Sequence, residues 1–359
     1  MPSIKIGIVG LPNVGKSTLF NALLKKQVAF VANYPFCTIE PNVGVVEVPD
    51  KRLPVLAKIV KTEKIIPATV EFYDIAGLIK GASEGEGLGN QFLAHIREVS
   101  VILHIVRMFE DEDVVHVDKV NPLSDIETIE AELILADLAT LDKQKEPRVS
   151  TNQEDKLRFE VIGKLKEALG KGILAKDVDL SSDEKDLISS LGLLTLKPVL
   201  YIFNISERQL ADLENIKKEI EKIVPAGNFL IFSAKFENEL LSLTEKEQKD
   251  YLKEYNLEDI GLNRLIKKSY SFLGLISFLT AGEKEARAWT IKKGTLAPQA
   301  AGVIHTDFEK KFIKADIIPF DDFVEHGGWI KARELGRVKT MGKDYNVSDG
   351  DVIEFKIGT

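Results

Sequence analysis

Residues 10–17 near the start of the chain have the types and spacing of a phosphate-binding loop. They read Gly-Leu-Pro-Asn-Val-Gly-Lys-Ser and fit the pattern G-x-x-x-x-G-K-[ST]. The glycines let the backbone wrap an anion without a Cβ clash, so that backbone N–H groups can point at phosphate oxygens. Lys16 is then placed to reach the β- and γ-phosphates during phosphoryl transfer, and the Ser17 hydroxyl is placed to hold a magnesium ion.

The residues on either side of this loop predict the elements that must position it. Residues 4–9 are mostly apolar and β-branched, which is typical of a buried strand, and residues 17–24 carry apolar side chains at helical spacing. A loop between a strand and a helix also aims the positive end of the helix dipole at the bound anion. We therefore expect a nucleoside triphosphate to contact the loop and the helix start, at Asn13, Val14, Gly15, Lys16, Ser17 and Thr18.

A second strand pattern ends in an acidic residue followed by a glycine, with the spacing D-x-x-G. Residues 68–73 alternate as a strand does, and Asp74-Ile75-Ala76-Gly77 comes next. An acid at this end of a strand can hold magnesium through water, and the glycine can bring its N–H to the γ-phosphate. An Asx turn is the common alternative for an isolated motif of this kind. Because a phosphate-binding loop precedes it, we predict magnesium binding by Asp74 and γ-phosphate sensing by Gly77.

Two loops are predicted to respond to the phosphate state of the nucleotide. Residues 34–44 are interrupted by prolines and include Thr38, whose hydroxyl and carbonyl oxygens can hold magnesium. Residues 79–89 are rich in glycine, so ordering them costs much conformational entropy. An ordinary surface loop is the alternative for residues 34–44. We expect residues 79–89 to become ordered when nucleotide or a partner binds.

A third motif bears on the choice of base. The strand pattern of residues 198–203 ends in Asn204-Ile205-Ser206-Glu207, where guanine-specific proteins carry N-K-x-D. Glu207 is one methylene longer than the aspartate that pairs with guanine, and Ile205 lacks the lysine stem that covers the base. Unpaired polar groups in a base pocket cost enough to change specificity, so the departure favours ATP. Residues 228–232 then lead to Ser233-Ala234-Lys235, which resembles the S-A-K loop that contacts the base through its backbone.

On these motifs the chain resembles the YchF subfamily of Obg-related P-loop proteins, the Obg-like ATPases, over essentially its whole length. The resemblance implies an α/β fold: a P-loop GTPase-like domain with a mostly parallel sheet, an inserted antiparallel helical (coiled-coil) arm, and a C-terminal α+β TGS domain. It also implies a preference for ATP and an association with ribosomes and translation. The expected boundaries are 1–121 and 198–276 for the nucleotide-binding domain, 122–197 for the insertion, and 277–359 for the TGS domain.

The residue that positions the attacking water is an open point. Ras-like enzymes place a glutamine after D-x-x-G, whereas this chain has Leu78, so we expect slow intrinsic hydrolysis. His116 is the candidate for the missing catalytic group, with a surface histidine of no special role as the alternative. Asn13 could help bind a potassium ion near the phosphates, or could simply stabilise its own loop through a turn bond.

The remaining segments point to partner binding. Two amphipathic helix patterns, separated by Pro147, lie between Asp125 and Gly172, and they serve as a partner-binding arm or as a spacer. The C-terminal segment changes to short strands and turns, and the stretch Lys331–Lys343 is basic. A solvated face is the usual reading of such a run, and contact with ribosomal RNA phosphates is the alternative that the resemblance supports.

Composition limits the classes of protein that fit. The net charge of −8 argues against a protein that coats nucleic acid through bulk electrostatics. No apolar run is long enough to span a membrane, the first strand leaves no room for a signal peptide, and the single cysteine cannot form an internal disulfide. We therefore expect a cytoplasmic protein, with a monomer as the expected assembly.

Three functional hypotheses follow from these patterns. The first is a slow, magnesium-dependent ATPase that acts as a switch with ribosomes. The second is a conventional Obg-type GTPase, against which the sequence of residues 204–207 argues. The third is a nucleotide-gated binding protein whose hydrolysis is incidental, which Leu78 favours.

Overall fold

The computed structural model describes residues 4–33, 42–75, 88–110, 120–146 and 152–358. These residues group into two compact units. The larger unit comprises Ile4–Gly44 and Glu71–Leu262, and the smaller unit comprises Val45–Val70 and Asn263–Thr359. Among the described residues, no helix combines the length and the apolar character that crossing a bilayer requires.

Strands and helices alternate through the first part of the chain. The strands are β1 Lys5–Val9, β2 Val43–Glu47, β3 Ile65–Ile66, β4 Thr69–Asp74, β5 Val101–Arg107, β6 Val199–Asn204, β7 Phe229–Phe232, β8 Leu275–Ala281, β9 Ala286–Lys292, β10 Phe312–Pro319, β11 Lys339–Met341 and β12 Asp351–Ile357. The helices are α1 Lys16–Asn33, α2 Arg52–Val60, α3 Leu88–Glu98, α4 Pro122–Asp142, α5 Gln153–Gly170, α6 Ser182–Ile188, α7 Leu213–Ile220, α8 Ala234–Leu240, α9 Glu245–Glu254, α10 Gly261–Phe272, α11 Ala297–Ile304, α12 Thr306–Lys310, α13 Phe320–Glu325 and α14 Trp329–Glu334. Short 3-10 helices lie at Ala175–Asp177, Ser189–Leu191 and Glu207–Asp212.

The first sheet has the strand order β2-β4-β1-β5-β6-β7. The pairings of β1 with β4 and β5, of β5 with β6, and of β6 with β7 are all parallel. Strands β5 and β6 are buried along their whole length, as expected for strands covered on both faces. The mostly parallel sheet predicted from the sequence is confirmed, and the carboxyl ends of β1, β5 and β6 therefore meet at one edge, where α/β proteins bind ligands.

Helices α4 and α5 show how the predicted insertion packs. One set of apolar side chains on α4 lies in the core of the larger unit: Ile126, Ile129, Leu133 and Ala136. A second set on α4, Ile134 and Leu141, shares a separate core with four side chains of α5: Val161, Ile162, Leu165 and Leu169. Different faces of α4 thus contribute side chains to two cores.

A buried carboxylate joins α4 to the segment that leads into β6. Asp137 is fully buried and accepts hydrogen bonds from the backbone N–H groups of Leu194 and Thr195, each at 2.8 Å, and from Thr195 Oγ1 at 2.6 Å. Burial raises the pKa of Asp137, and these hydrogen bonds oppose the shift. The carboxylate thereby holds the end of the insertion against the helix that begins it.

The smaller unit is built on a second sheet with the order β11-β10-β12-β8-β9-β3. Its edge strand β3 comes from the first part of the chain and pairs in parallel with β9. Arg52, at the start of α2, donates to Asp50 and to Asp349, and Lys64 pairs with Glu285 at 2.9 Å. Packing therefore groups residues 45–70 with the C-terminal segment. The domain boundaries and the TGS domain stay predictions. The predicted boundaries did not include the grouping of residues 45–70 with the C-terminal segment.

Candidate functional site

The loop between β1 and α1 adopts backbone conformations that its residue types permit. Gly10 has a φ of 155° and Gly15 a φ of 102°, which side chains on L-residues rarely allow. A Cβ added to Gly10 would lie 2.6 Å from the carbonyl oxygen of Ile105, and one added to Gly15 would collide with the Asn204 side chain. Asn13 has a φ of 63°, which asparagine tolerates better than most residues. Glycines are thus required where β5 and β6 press against the loop.

Lys16, the first residue of α1, lies in a partly buried electrostatic cluster. Its Nζ donates to the carbonyl oxygen of Leu11 at 2.6 Å. Burial lowers the pKa of Lys16 and raises that of Asp74, and the attraction between their two charges opposes both shifts. His104 is buried on β5, where burial together with the charge of Lys16 lowers its pKa to about 3. His104 is therefore neutral at physiological pH, and Asp74 is placed to balance the charge of Lys16.

Asn204, at the end of β6, links two loops of the site. Its Nδ2 donates to the carbonyl oxygen of Val14 at 2.9 Å, and its Oδ1 accepts from the backbone N–H of Ala234 at 3.0 Å. The side chain is almost entirely buried. Both ends of one amide thus hold the loop between β1 and α1 against the start of α8, which fixes the spacing between these two segments.

Glu207 follows three positions later and is anchored by two aromatic residues of the α9 region. Its Oε1 accepts hydrogen bonds from Tyr251 Oη at 3.1 Å and from Tyr255 Oη at 3.0 Å. Ile205 donates its backbone N–H to the carbonyl oxygen of Phe232. Its side chain is buried, so the position that would carry lysine in N-K-x-D is apolar and packed. The tyrosines were not anticipated, because their positions in the sequence carry no motif.

These loops surround a cleft of about 1090 Å³. Most residues predicted from the sequence line it: Asn13, Gly15, Lys16, Ser17, Thr18, Asn204, Ile205, Glu207, Ala234 and Lys235. Val14 and Ser233 are buried and do not line it, although the Val14 carbonyl takes part through Asn204. Thr38, Gly77, Leu78 and His116 lie outside the described residues, so their predicted roles stay predictions.

The cleft also includes residues that the motifs did not identify, notably Arg107 to Glu110 after β5. Arg107 is 1% exposed, and its Nε donates to the carbonyl oxygen of Phe109 at 2.8 Å. The centre of its guanidinium group lies 4.7 Å from the centre of the Phe109 ring. Its Nη1 has no hydrogen-bond partner among the described residues. The sequence did hold a signal, because an arginine ends a strand that is otherwise apolar except for His104.

The side chains at this edge of the sheet include oxygen ligands of the kind that a magnesium ion would need. Ser17 offers a hydroxyl oxygen at the start of α1, and Asp74 offers a carboxylate at the end of β4. Among the described residues there is no cluster of three or more histidine, cysteine or acidic side chains that could hold a metal by itself. Magnesium commonly takes one or two protein oxygens and completes its shell with phosphate and water. Two oxygen ligands from the chain would therefore be enough to hold a magnesium ion.

Comparison with known proteins identifies the family. Residues 5–139 match a family model described as 50S ribosome-binding GTPase, and residues 275–358 match the C-terminal YchF GTPase model, described as a protein of unknown function. A Bacillus subtilis protein named ribosome-binding ATPase YchF is 49% identical over 365 residues, covering 99% of each chain. The chain belongs to the YchF family. A Haemophilus influenzae protein of the same name is 48% identical, covering 98% of each.

A solved YchF structure supports the same conclusion at the level of the fold. The Schizosaccharomyces pombe YchF GTPase superposes with a TM-score of 0.87 at 39% identity, covering 99% of this chain and 98% of that chain. The resemblance indicated by the sequence motifs is thereby confirmed, as are the P-loop GTPase fold and the presence of a C-terminal domain. In this YchF family member the cleft occupies the carboxyl edge of the parallel sheet, where the fold class places its ligand.

Proposed function

We propose that this YchF family member binds and slowly hydrolyses ATP in the cleft, and that it acts as a switch with ribosomes. The choice of ATP over GTP rests on the residues at positions 205 and 207 of the cleft. There Ile205 is packed as an apolar residue, and Glu207 replaces the shorter aspartate that would pair with guanine. Relatives named ribosome-binding ATPase support the same assignment. An Obg-type GTPase remains the competing outcome of the tests below.

Among the described residues, Ser17 and Asp74 would hold magnesium. Thr38, which lies outside the described residues, is the third ligand proposed from the sequence. When bound, the ion would neutralise charge on the β- and γ-phosphates. Lys16 would bind the same phosphates, and the Gly15 and Lys16 N–H groups at the start of α1 would orient them. Gly77 as phosphate sensor, His116 as catalytic group and a potassium ion beside Asn13 complete the proposal.

Restoring the guanine-reading residues should shift the nucleotide preference. In the Ile205→Lys/Glu207→Asp double variant, the shorter carboxylate and the lysine stem recreate the N-K-x-D pattern. We expect the ratio of ATP to GTP affinity to fall by about tenfold or more, because a paired polar group is gained by guanine and lost by adenine. Calorimetric titration of the wild type and the variant with each magnesium–nucleotide complex measures the ratio.

The matched control is Glu214→Asp, which makes the same chemical change at an exposed position of α7. Its ATP to GTP ratio should equal that of the wild type. A wild-type chain that binds GTP more tightly than ATP would contradict the proposed ATPase and establish the GTPase. An unchanged ratio in the double variant would show that residues 205 and 207 do not read the base.

The ribosome-facing part of the proposal involves a basic surface on the smaller unit, defined here as Lys331, Arg337, Lys339 and Lys343. All four side chains are exposed, and none of the ion pairs between described residues includes them. Arg333, in contrast, is paired with Glu354 and Asp316. Exposed apolar side chains flank the surface at Ile330 and Leu335. Unpaired cations beside apolar groups suit contact with RNA phosphates and adjoining protein.

Reversing three charges of the basic surface should weaken ribosome association. For Lys331→Glu/Arg337→Glu/Lys339→Glu we expect at least about tenfold weaker binding and a shallower dependence on salt, because fewer counterions are released. Co-sedimentation with purified ribosomes over a series of salt concentrations provides both quantities. The control Lys217→Glu/Lys218→Glu/Lys222→Glu changes the net charge equally on exposed residues of the larger unit. Equal losses in both triple variants would refute a specific surface.

A further inference from the structure

The carboxylate of Glu207 is held by a pair of tyrosines that no sequence motif identified. Tyr251 lies in α9 and Tyr255 directly follows that helix, and both hydroxyls contact the same oxygen, Oε1. An ionised carboxylate only accepts hydrogen bonds, so both tyrosine hydroxyls donate. The hydrogen bond from Tyr251 to Glu207 raises the pKa of Tyr251, and burial together with Glu207 raises the pKa of Tyr255 to about 12. Both tyrosines therefore keep their protons at neutral pH.

The tyrosines are themselves fixed by a buried aromatic side chain. Phe236 of α8 is 1% exposed and stacks on Tyr251, with ring centres 5.3 Å apart. It meets Tyr255 edge to face at 5.0 Å, and the two tyrosine rings are 5.6 Å apart, also edge to face. Three rings that interlock in this way favour one arrangement. The position of Oε1 is therefore set by packing against α8, the helix that begins within the S-A-K residues.

The occupied oxygen limits what Glu207 can do for a bound base. A carboxylate oxygen has two lone pairs, and Oε1 already accepts two hydrogen bonds, while Oε2 has no hydrogen bond to a described residue. Guanine offers two neighbouring donors, its N1–H and its exocyclic amine, and these need both oxygens of a carboxylate. Adenine offers a single exocyclic amine at that edge, which one oxygen satisfies. The tyrosine pair thus makes Glu207 a one-oxygen acceptor.

We infer that Tyr251 and Tyr255 determine base specificity by occupying Oε1 of Glu207, so that the carboxylate accepts from an adenine amine and cannot pair with both guanine donors. The inference rests on the proposed ATP preference and adds a cause for it. The two residues act through Glu207 and are positioning residues. A shorter aspartate at position 207 would draw the carboxylate away from the two hydroxyls and so free both of its oxygens.

The test is the Tyr251→Phe/Tyr255→Phe double variant, which removes both hydroxyls and keeps both rings. We expect GTP affinity to rise relative to ATP affinity by about tenfold, because the freed Oε1 can then complete the pair with guanine. Affinity for magnesium tripolyphosphate, which has no base, should be unchanged. If the tyrosines had only a structural role, the double variant would bind ATP, GTP and tripolyphosphate more weakly by similar factors. The matched control Tyr345→Phe removes a hydroxyl that donates to Asp351 in the smaller unit, and it should change none of the affinities.

The outcomes separate this inference from the proposed function. A wild type that prefers GTP would overturn both. A wild type that prefers ATP, with a double variant whose ATP to GTP ratio is unchanged, would overturn the inference alone. If the double variant fails to fold, the single variants decide: each keeps one donor, each should shift the ratio in the same direction by a smaller factor, and an unchanged ratio in both would overturn the inference.

Discussion

Replacing Lys16 with alanine should abolish useful affinity for nucleoside triphosphates. Lys16 is a partly buried cation at the start of α1, and Asp74 is placed to balance its charge. Without Lys16, the phosphates lose a preorganised positive group and face an uncompensated carboxylate. Removing one such group from an enzyme site reduces rates by about 100- to 1000-fold. We expect a loss of that order in both magnesium–ATP affinity and hydrolysis, measured by calorimetry and by phosphate release.

The control for this variant is Lys25→Ala on the same helix. Lys25 is exposed and donates to Asn238 at 2.7 Å, away from the loop backbone. It should retain wild-type affinity and turnover. Tight ATP binding by the Lys16 variant would contradict the assignment of residues 10–17 as the phosphate site.

The Lys16→Ala variant also tests whether nucleotide controls partner binding. If ATP acts as a gate, the variant should no longer show a nucleotide-dependent difference in ribosome co-sedimentation. Identical, nucleotide-dependent association in the wild type and the variant would show that the cleft is not the gate.

Loss of the Lys16 charge should also raise the pKa of His104, although burial, the larger cause, keeps it below its ordinary value. Proton NMR titration of His104 reports this change independently of ligand.

Replacing Asn204 with alanine should destabilise the larger unit as well as weaken nucleotide binding. The substitution leaves the Val14 carbonyl without its donor and the Ala234 N–H without its acceptor, in a place where the side chain is 4% exposed. Each unsatisfied buried group costs about 1–3 kcal/mol, so we expect the free energy of unfolding to fall by about 2–4 kcal/mol. Urea denaturation followed by circular dichroism measures it.

The matched control is Asn215→Ala, because Asn215 is exposed and donates to Asp212 at 2.8 Å. Exposed substitutions of this kind change stability by about 0.5 kcal/mol or less. The Asn204→Asp variant separates the two bonds: its carboxylate can still accept from Ala234 N–H but cannot donate to the Val14 carbonyl. An Asn204→Ala variant as stable as the wild type would show that the amide does not hold the two loops together.

The sequence predicted those parts of the site whose residues are close together along the chain. Residues 10–17 form a loop between a strand and a helix, and their glycines adopt the conformations that the motif requires. Local patterns of this kind are readable because the backbone conformation depends on neighbouring residues. The parallel strands were predictable for the same reason, since β5 is apolar apart from His104 and Arg107 and β6 is apolar up to Asn204.

Contacts between distant residues were not predictable in this way. The tyrosines that hold Glu207 are 44 and 48 positions away from it, and Arg52 meets Asp349 across 297 positions. Nothing in the spacing of these residues indicates the pairing, because each was available for many alternative partners. Arg107 was not predicted as a site residue either, although its charge at the end of a mostly apolar strand indicated a special position.

The amino-acid sequence by itself determined the phosphate-binding loop, the departure from the guanine-reading motif, the parallel sheet and the family. Only the tertiary structure decided that Asn204 joins two loops, that one oxygen of Glu207 is occupied by Tyr251 and Tyr255, and that residues 45–70 pack with the C-terminal segment. The physical reason is that local conformation follows from neighbouring residues, whereas the orientation of a buried polar side chain follows from every group that packs around it.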